Sequence, residues 1–124
     1  MLLATKKALK AKSIRLNEET LSCTVSVKKE EWNIILTYMN KEKEDNWRHV
    51  EKQVGEQAGI NLLILGEMNA RTGEEGGSDI PERERKSKDK TKNVEGRKML
   101  RNLESLGVII LNVGLKGDEE GKYT

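Results

Sequence analysis

The chain has 124 residues, of which 35% are charged and 35% hydrophobic, and its formal charge is +2. No apolar run reaches the ~18 residues of a membrane span, and the opening MLLATKKALKAK is too short in apolar residues for a secretory signal. One cysteine excludes an internal disulfide and a multi-cysteine zinc site, and four aromatics with no Phe leave little bulky core material, so the composition predicts a soluble intracellular domain, nuclear or cytoplasmic, or a piece of one.

In chain order, residues 1–15 carry five bases (Lys6, Lys7, Lys10, Lys12, Arg15) and no acid, which leaves 18 basic against 21 acidic groups, a net −3, over the remainder. Residues 1–19 are read as a basic segment without assigned structure, and the domain proper as 20–124. Leu21, Cys23, Val25 and Val27 alternate with Ser22, Thr24 and Ser26, the period of a half-buried strand. Cys23 falls on its apolar face and reads as a buried, inert thiol. A polar turn over Lys28–Glu31 leads into a second strand, Trp32–Tyr38, and the short connection predicts an antiparallel hairpin. Asp45 or Asn46 can cap a helix in which Trp47, Val50, Val54 and Ala58 recur at helical spacing, with Gly59 as its stop. His49, beside Trp47 and Val50, reads as a surface or boundary histidine. Ile60–Leu65 is a nearly continuous apolar run, the pattern of a strand covered on both faces.

Gly66 to Lys92 is a long polar stretch containing Pro81, the only proline, and a loop of that length is either functional or disordered. Its part from Glu82 to Lys92 holds six bases and three acids. Such a block can contact phosphates by releasing counterions, but charge alone favours a solvated loop, and no interleaved aromatics offer a stacking platform. Asn93 can cap a second helix with Met99, Leu100, Leu103 and Leu106 as its stripe and Gly107 as its end. Val108–Leu111 reads as another buried strand, and Lys122–Thr124 as the start of a further one. Two strand–helix–strand units in this order define an α/β protein.

The informative segment is Leu65-Gly66-Glu67-Met68-Asn69-Ala70-Arg71-Thr72-Gly73, where a buried strand leaves the sheet and α/β proteins build their sites. On an extended backbone the Glu67 carboxylate and the Asn69 amide point the same way. Together they can hold a water and a phosphate oxygen, and Arg71 adds a cation able to pair with phosphate. By spacing alone, a strand end with polar turn residues is the favoured reading of the segment.

The run resembles the Gly-Asp-Phe-Asn-Ala-Arg-Thr-Gly motif of the endonuclease/exonuclease/phosphatase superfamily, in the form carried by endonuclease domains of non-LTR retrotransposons. Three further segments agree in order and spacing. Trp32–Met39 is similar to the strand that delivers the family's active-site tyrosine, which falls on Tyr38. Asn93–Leu100 is similar to the Asn-x-x-Gly-x-x-Leu helix start. Leu106–Thr124 is similar to the Gly-Leu-x-Ile-Leu-Asn strand with its trailing Gly-Asp and Tyr-Thr, and Asn112 falls on a structural position. The resemblance covers nearly all of residues 20–124. It implies a four-layer α/β sandwich, here partial and incomplete at both ends, and Mg²⁺-assisted hydrolysis of DNA phosphodiesters. By position it implies that Glu67 orients the attacking water and touches the metal, that Asn69 contacts the scissile phosphate, that Tyr38 positions it, and that Arg71 binds substrate.

Glu67 stands where the family carries aspartate. Its carboxylate is displaced by about one methylene, and a ~1 Å misplacement at a reacting centre can cost ~100-fold. Met68 replaces the usual Phe. No segment of 1–19 matches the family's metal-binding glutamate strand, and the one Ser-Asp pair, Ser78-Asp79, is followed by Ile80 rather than by the family's histidine. The expectation is therefore an internal fragment of an endonuclease domain that is inactive as this chain. The alternative is a non-catalytic nucleic-acid- or protein-binding relic of a mobile element, contacting through the 82–92 block and the basic N-terminus.

Overall fold

The computed structural model describes residues 11–17, 19–40, 45–57, 59–77 and 85–112. The readings at Lys6, Lys7, Lys10, the Asp45 side chain, Ala58, Ser78-Asp79, Pro81, 82–84 and Lys122–Thr124 lie outside the described residues. The chain forms a mixed four-stranded sheet and two helices, a small α/β fold. It divides into two compact units, Met1–Met68 and Asn69–Thr124. Among the described residues no helix is long and apolar enough to cross a membrane.

The first unit is the sheet, in the order β1 (Ala11–Leu16), β2 (Thr20–Val27), β3 (Glu30–Tyr38) and β4 (Asn61–Glu67), with helix α1 (Asp45–Gly55) between β3 and β4. β1–β2 and β2–β3 are antiparallel, and β3–β4 is parallel. The predicted hairpin forms around a two-residue turn, Val27 pairing with Glu30. Its central residues Lys28 and Lys29 have φ of 48° and 72°, the left-handed conformation that matches strand twist but favours Asn and Gly. β1 falls within the segment that carried no prediction. All six of its residues are exposed, and its register shifts between Lys12 and Arg15, around Ser13 at φ 50°. An exposed, bulged strand shows no apolar alternation from which to read it.

Cα partners on neighbouring strands share a face, so the register sorts the sheet into two. One face carries Leu21, Cys23, Val25, Trp32, Ile34, Leu36, Leu63 and Leu65; the other carries Thr20, Ser22, Thr24, Asn33, Ile35 and Thr37. β2 was expected to bury only the first set. Thr20, Ser22 and Thr24 are buried as well, because α1 lies over them. Gln53 Nε2 donates to Thr20 Oγ1 (3.3 Å) and Thr24 Oγ1 donates to Gln57 Oε1 (3.4 Å). Val50, on the predicted apolar stripe of α1, is fully buried. Cys23 is buried as expected, and burial pushes its thiol pKa up.

Two expectations are corrected. β4 was read as covered on both faces, yet Leu62–Ile64 are only half-buried and Leu65–Glu67 are exposed, because among the described residues β4 pairs with β3 alone. Val108–Leu111 was read as a buried strand but forms no ladder among the described residues. Its exposure alternates, with Ile109 and Leu111 exposed, and it is anchored by a hydrogen bond from Ile110 N–H to the Gly76 carbonyl (2.7 Å). An apolar run makes a strand only where a second strand pairs with it.

The second unit contains α2 (Val94–Ser105) with the predicted cap, Asn93, and the predicted end. Gly107 at φ 64° and bonds from Gly107 N to Glu104 O (3.0 Å) and Val108 N to Leu103 O (2.9 Å) close the helix as a Schellman motif. Leu103 of the predicted stripe is buried.

Two L-residues held left-handed in the Lys28-Lys29 turn cost about 1 kcal/mol each. Replacing them by Asn-Gly (K28N/K29G) is expected to stabilise the first unit by about 1 kcal/mol or more, read as a rise in the urea midpoint at unchanged m-value.

Candidate functional site

The predicted site residues fall in both units. Tyr38 and Glu67 belong to the first, where they are Cα partners at the carboxyl ends of the parallel pair β3–β4. Their side chains therefore emerge side by side from one face, Tyr38 49% exposed and Glu67 exposed. Three bonds hold the backbone there: Met39 N to Glu67 O (2.8 Å), Tyr38 N to Glu19 O (3.0 Å) and the Asn46 amide to Tyr38 O (3.3 Å). Asn46 is buried, so the first turn of α1 is fastened to the end of β3. Gly66, one residue before Glu67, has φ of 141°, and a Cβ there would collide with the Thr37 carbonyl. Glycine at this point of the motif is thus required by the close approach of β3 to β4.

Asn69 and Arg71 belong to the second unit. The strand ends at Glu67 and Asn69 adopts φ of 48°, so the extended-backbone argument for aligned Glu67 and Asn69 side chains does not hold. Asparagine tolerates this left-handed conformation better than most residues. The segment that follows is tied to the start of α2. Asn93 Oδ1 accepts both from Gly96 N (2.7 Å), the helix cap proper, and from Arg71 N (3.0 Å), while Asn93 N donates to Arg71 O (3.1 Å). Gly96 is needed for the same contact, since a Cβ on it would overlap the Arg71 carbonyl. The Asn-x-x-Gly spacing at this helix start therefore has a physical basis: one asparagine and one glycine let the Asn69–Thr72 segment lie against the helix. Thr72 extends the contact through a single antiparallel bridge to Lys92.

Arg85 was read only as one base in a solvated loop, and its burial is a finding of the structure. The residue is 7% exposed. Its Nε donates to the Asn112 carbonyl (3.1 Å), and its Nη1 donates to Thr72 Oγ1 (3.0 Å) and to the Glu75 carbonyl. Desolvation lowers its pKa, opposed by the charge of Glu74. Arginine suits the position because its planar fork reaches several acceptors at once. Nothing local separates Arg85 from the neighbouring bases, since its acceptors come from positions 72, 75 and 112. Asn112, read as structural, contributes its backbone oxygen here.

Arg71 itself is exposed and pairs with Asp89, Nε to Oδ2 at 3.6 Å. Asp89 Oδ1 accepts from Thr91 N (2.9 Å). Hydrogen bonding from Thr91, helped by the charge of Arg71, holds the Asp89 carboxyl below the usual range. Lys90 pairs with Glu74 and Lys92 with Glu75. His49 is exposed on α1, away from any role in these contacts. Among the described residues no group of three or more His, Cys, Asp or Glu side chains could hold a metal ion. Compared with known proteins, the chain matches no family model and no curated protein.

Asn93→Ala removes a cap and the second acceptor bond to Arg71, and is expected to cost about 1–2 kcal/mol, read in denaturant melts and as faster amide exchange at Arg71 and Gly96. Arg85→Met keeps most of the buried stem but strips three carbonyl or hydroxyl acceptors of their donor. A loss of about 2 kcal/mol or more is expected, with the amides of Glu75 and Ile110 losing protection together.

Proposed function

We propose that the chain derives from a metal-dependent endonuclease domain of the non-LTR retrotransposon type, and that it contacts nucleic-acid phosphodiesters without cutting them by itself. The observation that carries this reading is the pairing of Tyr38 with Glu67 at the carboxyl ends of β3 and β4, directly before the Asn69–Arg71 segment. That is the position at which α/β sheets hold ligands. In this reading Asn69 contacts a phosphate through its amide, Arg71 pairs with phosphate oxygens, Tyr38 positions the backbone, and Glu67 occupies the place of the water-orienting carboxylate.

Support for one sheet of a four-layer sandwich comes from the face opposite α1. It is apolar across β2, β3 and β4; Cys23 and Val25 at its centre are buried, while Leu65 at one side is 43% and Leu16 at the other 72% exposed. A second sheet packed about 10 Å away is the usual cover for such a face. Cleavage is not expected because Glu67 is one methylene longer than the family's aspartate, and a ~1 Å misplacement at a reacting centre can cost ~100-fold.

In a supercoiled-plasmid assay with Mg²⁺, the chain is expected to leave the plasmid intact. It is expected to bind a short DNA duplex with an affinity that falls steeply between low and physiological salt, and Asn69→Ala is expected to weaken that binding. Efficient nicking would overturn the non-catalytic part of the reading. A salt-independent affinity would remove phosphate contact.

A further inference from the structure

Three cations of the second unit each meet a carboxylate of that unit: Arg71 with Asp89, Lys90 with Glu74, and Lys92 with Glu75. Of the three, the Arg71–Asp89 contact is the one built into its surroundings. Asp89 Oδ1 is engaged by Thr91 N (2.9 Å), and the Asp89 backbone carbonyl accepts from Ser87 Oγ (3.0 Å). This leaves Oδ2 presented to Arg71 Nε at 3.6 Å. The carboxylate is held by a local turn, whereas the arginine side chain is 64% exposed. A guanidinium grips phosphate with two parallel N–H bonds. With Asp89 on the Nε edge, an incoming phosphate must displace the carboxylate or settle for the opposite edge of the fork beside a like charge.

We propose that Asp89 is an internal competitor for the phosphate site of Arg71, a specificity-determining residue that sets how tightly the Asn69–Arg71 segment takes a nucleic-acid phosphodiester. The inference rests on the reading that Arg71 contacts phosphate. Phosphodiester oxygens take the place of Oδ2 at Nε, and Asp89 stays in its turn, held through Oδ1 by Thr91. The arginine is exposed and the carboxylate half-buried, and at 3.6 Å the grip of the pair is modest. An ion pair of this kind restrains binding by about two- to fivefold.

The test is fluorescence anisotropy of a short labelled DNA duplex, titrated at several salt concentrations with four variants of the full chain. D89N keeps the oxygen that accepts from Thr91 N and removes the charge facing Arg71. E104Q removes the same charge from the exposed face of α2 and serves as the net-charge control. R71Q and R71Q/D89N close a double-mutant cycle. The expected result is a two- to fivefold tighter complex for D89N. E104Q is expected to change affinity less, and the gain from D89N to vanish when Arg71 is absent. Binding by D89N but not by the unaltered chain would support the inference more strongly. If the unaltered chain binds and D89N gains no more than E104Q, or keeps its gain without Arg71, Asp89 is no competitor, although phosphate contact stands. If neither the unaltered chain nor D89N binds at any salt, the phosphate reading falls and takes the inference with it.

Discussion

Parallel strands cannot be joined by a tight turn, and the parallel pairing of β3 with β4 organises the first unit around that constraint. The connection must leave the end of one strand, cross a face of the sheet and return to the start of the next. α1 is that crossing. It lies over Thr20, Ser22 and Thr24, which is why the polar side of β2 is buried as deeply as the apolar side. Burying hydroxyls is tolerable only with hydrogen-bond partners, and Gln53 of α1 and Gln57 in the turn that follows it supply two of them. The accounting is incomplete among the described residues, where Asn33 Oδ1, Thr37 Oγ1 and Gln53 Oε1 have none. The same pairing brings Tyr38 level with Glu67, so the placement of that pair follows from topology.

The second unit solves a different problem, that of ordering a polar segment with few apolar residues. Its solution is a concentration of backbone contacts on two side chains. Asn93 serves the helix and the Arg71 peptide with one oxygen. Arg85 gathers Thr72, Glu75 and Asn112 around one guanidinium. Each places a donor or acceptor where a loop would otherwise leave backbone groups unpaired. Gly96 completes the contact by omission, having no Cβ to hold Arg71 away.

Charge reads differently once the contacts are known. Counted along the chain, the stretch from Glu82 to Lys92 is a basic block. Counted in space, Lys90, Lys92 and neighbouring Arg71 face Glu74, Glu75 and Asp89, and Arg85 is turned inward. Exposed pairs of this kind add little stability. They do lower the field that the loop presents to a polyanion, so the free charge of the surface is smaller than the composition implies.

Amino-acid order by itself was sufficient for β2, β3, β4, α1 and α2, and for the Asn93 and Gly107 ends of α2. Each of those depends on neighbours within a turn or a pleat, where apolar period and capping chemistry act directly. β1 escaped because an exposed, bulged strand has no apolar period, and Val108–Leu111 misled because an apolar run does not reveal whether a partner strand lies beside it. The motif from Gly66 to Gly73 was visible as a pattern, with its candidate residues Glu67, Asn69 and Arg71, and Tyr38 with them. Its geometry was not, since the left-handed turn at Asn69 breaks the extended path on which the alignment was argued. Tertiary structure alone decided which face of the sheet α1 covers, that Arg85 is buried, and that Arg71 answers to Asp89. The reason is separation along the chain: Arg85 finds its partners 10, 13 and 27 residues away, and only folding brings such distant acceptors to one side chain.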